Sequence, residues 1–191
     1  IPVPIWMRYG NKFPIKITAW NHTNGSGIVV GKDSGINSPK DLGGKVADLG
    51  AGWGFLARET LSRPKVKRLD LVEAEADALV CAKINISDER ARFHWADATT
   101  WKPESLLDVV VMNPPFHQGR DADPALGAAF IQAARRMLAP KGSLWLVANR
   151  HLPYDAVLSD AFLEYHEIAG TSAFRVIHAT KPRFLPAKPK R

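Results

Sequence analysis

The sequence predicts an α/β protein: a mostly parallel, seven-stranded sheet with helices on both faces and an antiparallel hairpin at one edge. Three observations carry this. From Lys45 onward short apolar runs alternate with helical patterns, the signature of successive β–α units. The run Leu107–Met112 is strongly apolar, as a strand covered on both faces must be. The last two runs, Glu164–Ala169 and Phe174–Ala179, are joined by the short stretch Gly170–Ser172, which suits a hairpin.

Lys45–Leu49 is a short apolar run ending in glycines, and Trp53–Ser62 after it has helical character. Val66–Val72 reads as the second strand. Glu75–Ile86 reads as a helix, with Ala76, Leu79, Val80, Lys83 and Ile84 at spacings of three and four. Ala91–Trp95 and Leu107–Met112 are the third and fourth strands. Pro124–Leu138 is a helix carrying Ala125, Ala128, Ala129, Ile131 and Ala134, followed by a strand at Ser143–Ala148 and a helix at Ala156–Phe162. The lone cysteine, Cys81, excludes an internal disulfide and reads as a packed core thiol.

The 191 residues suffice for one sizeable α/β domain and are tight for two. No apolar run approaches the roughly 18 residues of a membrane span, and Ile1–Tyr9 lacks the pattern of a signal peptide. The expected location is therefore the cytoplasm. The net charge of +7 points toward nucleic acid, but its distribution qualifies that reading. Residues 1–45 carry six basic and two acidic side chains, residues 46–180 fifteen and seventeen, and residues 181–191 five and none. The positive charge thus lies in the two ends, and the tail Lys181–Arg191 can either meet phosphates or stand as a solvated terminus.

The sharpest motif is Asp48-Leu49-Gly50-Ala51-Gly52-Trp53-Gly54, a strand, then alternating glycines, then a helix. Glycines permit the sharp turn and a close ligand approach. A dinucleotide-binding turn spaces its third glycine one residue later. An acid before the turn, Asp48, suits a cationic or amine-bearing ligand better than a pyrophosphate. Glu73 ends the second strand about twenty residues on, where an acid can accept both ribose hydroxyls of an adenosine. Asp97, in Trp95-Ala96-Asp97-Ala98 at the end of the third strand, can accept from an adenine amine. Each acid alone is equally an ordinary surface residue; three at successive strand ends, on the ligand-binding edge of an open α/β sheet, form a pattern.

Asn113-Pro114-Pro115-Phe116 follows the fourth strand. Two prolines stiffen the loop and remove donors, so that the Asn113 side-chain oxygen and the Pro114 carbonyl can accept the two hydrogens of a planar amine. Phe116 can stack on the ring that bears it. An Asn-Pro turn beside a packed Phe is the alternative.

Residues 46–180 resemble the catalytic domain of the ribosomal RNA small-subunit methyltransferase C family, a guanine-N2, class I S-adenosylmethionine-dependent family. The resemblance rests on Asp48–Gly54, Glu73, Asp97-Ala98, Asn113-Pro114-Pro115-Phe116-His117 and Ala148-Asn149-Arg150-His151-Leu152-Pro153-Tyr154. It implies the Rossmann-like class I methyltransferase fold with strand order 3-2-1-4-5-7-6. It also implies S-adenosylmethionine as cofactor, held by Asp48, Gly50, Ala51, Gly52, Glu73, Ala74, Asp97, Ala98 and Asn113. Asn113, Pro114, Pro115 and Phe116 would form the catalytic loop, with no metal and no strong base. Phe116, His117 and Arg150 would meet the target, ribosomal RNA, whose base is flipped into the pocket. His117 is equally a loop residue and Arg150 a surface cation, and a glutamine side chain is an alternative target.

Residues 1–44 lack the segment that precedes the glycine turn in that family. Pro2-Val3-Pro4-Ile5-Trp6 and Gly27–Lys45 instead resemble part of a nitrate, sulfonate and taurine type substrate-binding protein, with a seam near Gly43-Gly44-Lys45. The sequence therefore reads as a chimera of a 1–44 extension, a 45–180 methyltransferase domain and a 181–191 basic tail. The extension is too short to bind a ligand of its own. Strands are expected at Ile15–Trp20 and Gly27–Val30 around the polar connection Asn21–Ser26, and their edges offer a route to a homo-oligomer. Without the usual front segment, a chain that binds cofactor but does not turn over is the alternative to an active enzyme.

Overall fold

The computed structural model describes residues 20–22, 25–27, 42–115, 117–118, 121–122 and 124–184. Two strands, β1 (Trp20–His22) and β2 (Gly25–Gly27), form an antiparallel pair in the register Trp20↔Gly27 and His22↔Gly25. Trp20 and Gly27 are the inner ends of the two expected strands, and the ladder continues from them into the polar stretch read as a connection; the remainder of both expected strands lies outside the described residues. Backbone pairing needs no apolar side chains, so the polar residues Asn21, His22, Gly25 and Ser26 can join the ladder. The rest of residues 1–41, and residues 185–191, lie outside the described residues.

The main sheet contains β3 (Gly44–Leu49), β4 (Val66–Glu73), β5 (Ala91–Trp95), β6 (Leu107–Met112), β9 (Leu138–Asn149), β10 (Phe162–Gly170) and β11 (Phe174–Pro182). Its order is β10-β11-β9-β6-β3-β4-β5. Counted along the sheet's own seven strands, that is the expected 3-2-1-4-5-7-6. Strands β3, β4, β5, β6 and β9 run parallel, and β11 pairs antiparallel with both β9 and β10. A two-rung pair, β7 (His117–Gln118) with β8 (Asp121–Ala122), follows β6.

Among the described residues four helices cover the sheet: α1 (Phe55–Leu61), α2 (Ala76–Asn85), α3 (Pro124–Met137) and α4 (Asp155–Ala161). Strand alternation sends Leu49, Val72, Val110, Met112, Leu144 and Leu146 to one face, against Phe130, Ile131 and Ala134 of α3 and Leu158 of α4. Val46, Leu69, Leu71, Val109 and Val111 face the other way, against Ala57 and Leu61 of α1 and Ala82 of α2. Each fully buried aliphatic of this kind contributes roughly 1.5–3 kcal/mol.

Four sequence expectations need correction. In α2 the buried residues are Leu79 and Ala82, with Ile86 just beyond, a narrower stripe than the one read from the sequence. Val80, Ile84 and Cys81 fall on the opposite side and are exposed, so Cys81 is not a core thiol. In α3 the buried residues include Gly127, Phe130, Ile131 and Ala134, whereas Ala125 is exposed. Strand β9 begins at Leu138 rather than Ser143, because Leu138 already pairs with Leu107 before the register shifts.

Two arginines fix the ends of the elements. Arg90 donates to the carbonyls of Leu61 (2.6 Å), Val66 (3.0 Å) and Arg63 (3.3 Å), satisfying groups at the α1 exit that the helix leaves unpaired. Asp88 holds Arg90 in place, and that hydrogen bond lowers the Asp88 carboxyl to about 2. Arg175 forms a two-point pair with Asp155 in the first turn of α4 (3.1 and 2.9 Å) and donates to Leu152 O, tying β11 to that helix.

Candidate active site

The carboxyl ends of β5, β4, β3 and β6 lie side by side, at neighbouring-strand spacings of about 4.8 Å. Each delivers one of the segments singled out in the sequence. The turn after β3 is held from below, since the Gly50 and Ala51 amides both donate to Val72 O at 2.9 and 3.1 Å. Gly50, Gly52 and Gly54 all take positive φ, at 73°, 55° and 89°. Gly52 faces open space, with nothing within 4 Å of the position a Cβ would occupy. Gly54 is crowded instead, its missing Cβ only 2.7 Å from Ile86 Cδ1. The glycines therefore do different work: Gly54 admits the packing of α2 and Gly52 leaves the mouth of the turn clear.

Asp48 lies beneath this turn with no exposed surface, and neither carboxylate oxygen has a well-formed hydrogen bond among the described residues. Burial pushes its carboxyl up to about 8, the neighbouring Glu73 adds to the rise, and the Ala57 amide opposes it without prevailing. An orphaned acid of this kind in a folded interior marks a place where a further partner fits. Glu73 is buried and braces the turn. One carboxylate oxygen accepts from the Gly52 amide at 2.7 Å and the other from the Glu75 amide at 2.8 Å.

The third segment is bolted to the second, as Ala96 N donates to Glu73 O at 3.0 Å and the Trp95 indole to Ala74 O at 2.9 Å. Asp97 is exposed; its Oδ1 accepts from the amide and hydroxyl of Thr99, both at 2.7 Å, closing a local turn. Ala98 is buried in the core. After β6, Asn113 is half-buried, Pro114 buried and Pro115 exposed. Pro115 reaches the glycine turn, with its Cδ 3.9 Å from the point where a Gly50 Cβ would stand. Phe116 lies outside the described residues, and His117 is described only as backbone in β7. The structure thus brings together Asp48, Gly50–Gly52, Glu73–Ala74, Asp97–Ala98 and Asn113–Pro115 along one sheet edge.

The sequence profile of the methyltransferase small domain family matches residues 36–178. The chain belongs to that family. It is 36% identical over 149 residues to the ribosomal RNA large subunit methyltransferase G of Pseudomonas putida, which covers 75% of this chain and 40% of that protein. It is 30% identical over 142 residues to the ribosomal RNA small subunit methyltransferase C of Psychromonas ingrahamii, covering 74% and 41% respectively. Among solved structures it is similar to a T. thermophilus 16S rRNA N2 G1207 methyltransferase in complex with AdoMet and guanosine. The TM-score is 0.60 at 25% identity, over 72% of this chain and 37% of that one. The chain spans about two fifths of the length of the curated relatives it matches.

Arg150, expected to meet the target or to stand as a surface cation, is tied into the closing hairpin. Its guanidinium makes a two-point pair with Glu167 (2.7 and 3.1 Å) and also donates to the carbonyls of Thr171 (3.0 Å) and Phe174 (3.4 Å). It straps the β10–β11 turn to the end of β9, two strands from the glycine turn, and Gly170 leaves the room it occupies. Two site neighbours escaped the sequence reading. Trp95, largely exposed, spans from β5 to Ala74, and Phe130 of α3 rests against Gly50. A single Phe in an alanine-rich helix was the available signal for Phe130. Among the described residues no cluster of three or more metal-ligating side chains occurs, and no helix is long and apolar enough to cross a membrane.

Proposed function

We propose that this chain transfers a methyl group from S-adenosylmethionine to an exocyclic amine, with guanine N2 of ribosomal RNA as the target. The observation that carries this reading is the meeting, at one sheet edge, of the glycine turn, the acids of β3 and β4 and the Asn113-Pro114-Pro115 loop. The family membership supports it, as do the names of the relatives, which act on ribosomal RNA, and the bound AdoMet and guanosine in the T. thermophilus enzyme. A ribosomal RNA target implies action in the cytoplasm.

S-adenosylmethionine supplies a methyl group already activated by a sulfonium. The residues present fit such a ligand. Gly52 leaves its approach open, and a cation would stabilise the ionised form of the Asp48 carboxyl buried beneath the turn. Glu73 uses one backbone donor on each oxygen, and each carboxylate oxygen can take a further hydroxyl. Ala74 and Asp97, just beyond the ends of β4 and β5, are exposed and open to such a ligand, while Ala98 packs in the core. On the other side, Asn113 and Pro114 accept the amine's two hydrogens and hold its lone pair toward the methyl group; the stiff prolines keep that pair of acceptors fixed. Phe116 and His117 would contact the target. Arg150 reaches a target phosphate by exchanging Glu167 for it. In this reading residues 1–44 are an extension of separate ancestry.

Titration calorimetry with S-adenosylmethionine tests the cofactor half. Binding by the intact chain, weakened at least tenfold by Glu73→Ala, is expected. Incubation with tritiated cofactor and unmodified ribosomal RNA, followed by nucleoside analysis, tests the target half. A folded chain that binds no cofactor overturns the reading, and label on adenine or on protein glutamine redirects it.

A further inference from the structure

We propose that Phe130 is a positioning residue that couples the glycine turn to the Asn113-Pro114-Pro115 loop; this rests on the methyl-transfer reading above. The two halves of the site follow paired strands, β3 and β6, and beyond their last pair, Leu49↔Met112, a further contact must fix the spacing of the two loops. A methyl group on Gly50 would lie 3.3 Å from Phe130 Cε1 and 3.8 Å from its Cζ, with Pro115 Cδ 3.9 Å from the same point. Ring, proline and turn therefore meet at one place, and Gly50 is the only one of the three without a side chain to yield.

The other contacts of this junction are rigid. Gly50 is held from the sheet side by its amide bond to Val72 O at 2.9 Å. Phe130 is buried, and its helical neighbours Ile131 and Ala134 have no exposed surface, which anchors α3 in the core. A flat ring with two side-chain torsions cannot shorten, so Phe130 limits how far Gly50 can shift toward α3 and thereby how the turn sits against Pro115. Reacting atoms must be held about 3–3.5 Å apart, and a misplacement of about 1 Å can cost on the order of a hundredfold in rate. Phe130 has no polar side-chain atom with which to grip either reactant, so its effect falls on the reaction step rather than on binding.

The test separates positioning from packing with Phe130→Met, a replacement of similar volume but without a rigid plane. We expect Phe130→Met to melt close to the parent chain and to bind S-adenosylhomocysteine within about threefold. Its kcat for methyl transfer to unmodified ribosomal RNA should fall at least tenfold while KM stays unchanged. An arm that needs no turnover uses amide NMR. In the parent chain, S-adenosylhomocysteine should shift both the glycine-turn amides and those of His117 and Gln118, beyond the proline loop. In Phe130→Met only the glycine-turn shifts should survive. A kcat equal to that of the parent, or ligand shifts at His117 and Gln118 that persist unaltered, overturns the coupling. A parent chain that binds the ligand and couples the amides but methylates no RNA overturns the target reading and leaves the coupling standing. A parent chain that binds no S-adenosylhomocysteine overturns both.

Discussion

Asp48 and Glu73 sit at the ends of adjacent strands, each carboxylate opposing the charge of the other, and Asp48 has neither solvent nor a well-formed hydrogen bond to relieve it. Its carboxyl is raised by burial first and by Glu73 second, to about 8. The folded chain therefore holds a proton that the unfolded chain has released above about pH 4. Between those values the native state binds more protons, so stability falls as pH rises and levels off above about 8. The slope for one such group is at most about 1.4 kcal/mol per pH unit. Asp48→Asn should remove it. Urea melts of both chains at pH 5 and pH 8 check this, and equal losses in the two would disprove the assignment to Asp48.

The glycine turn separates fold from site. Gly54→Ala meets Ile86 at 2.7 Å in a left-handed conformation and should cost about 1–3 kcal/mol. Gly52→Ala meets no neighbour and pays only the left-handed strain, about 1–2 kcal/mol. Its methyl group would stand in the open mouth of the turn. Gly52→Ala should thus lose most of its S-adenosylmethionine affinity while melting above Gly54→Ala. A calorimetric titration beside a thermal melt decides it, and the reverse ranking would refute the division of labour.

Much of this was legible beforehand, for physical reasons. Strands β5 and β6 stood out at their observed limits because each is a short apolar or mixed run bounded by turn residues. The acids Asp48, Glu73 and Asp97 could be grouped because parallel strands bring their carboxyl ends to one edge. What the pattern could not reveal was direction around a helix when alanines fill every side. Ala125, Ala128 and Ala129 look as apolar as Ile131, and only packing selects Gly127 and Phe130 for the core. Cys81 failed similarly, because Val80 and Ile84 mark an exposed side of α2. Arg150 looked like a free cation, since its partners Glu167, Thr171 and Phe174 are brought to it only by the antiparallel hairpin.

Gly127 illustrates how tightly α3 is seated. A Cβ there would lie 1.8 Å from the Tyr154 hydroxyl oxygen and 2.4 Å from its Cζ. Gly127→Ala should destabilise the chain by about 1–3 kcal/mol through overpacking. Removing the hydroxyl in a Gly127→Ala, Tyr154→Phe double variant should not rescue it, because the ring carbon still collides. Full recovery of the melting temperature in the double variant would mean that the ring moves freely, contrary to its burial.

The Arg150–Glu167 pair yields a prediction about RNA. Half-exposed, it lies at the carboxyl edge that carries the proposed pocket, and the Glu167 hydrogen bond holds the Arg150 guanidinium firmly charged. A phosphate offers the same two-point geometry as Glu167, so the two compete for one cation. Glu167→Gln removes the competing charge. It should tighten binding of a ribosomal RNA fragment at low salt and steepen the salt dependence by about one counterion. Arg150→Lys should do the opposite and, by loosening the strap, speed amide exchange at Thr171 and Phe174. Filter binding at several salt concentrations reads the first effect and hydrogen exchange the second. If Glu167→Gln leaves the salt slope unchanged while Arg150→Lys still loosens the turn, Arg150 is a strap alone and the phosphate contact is excluded.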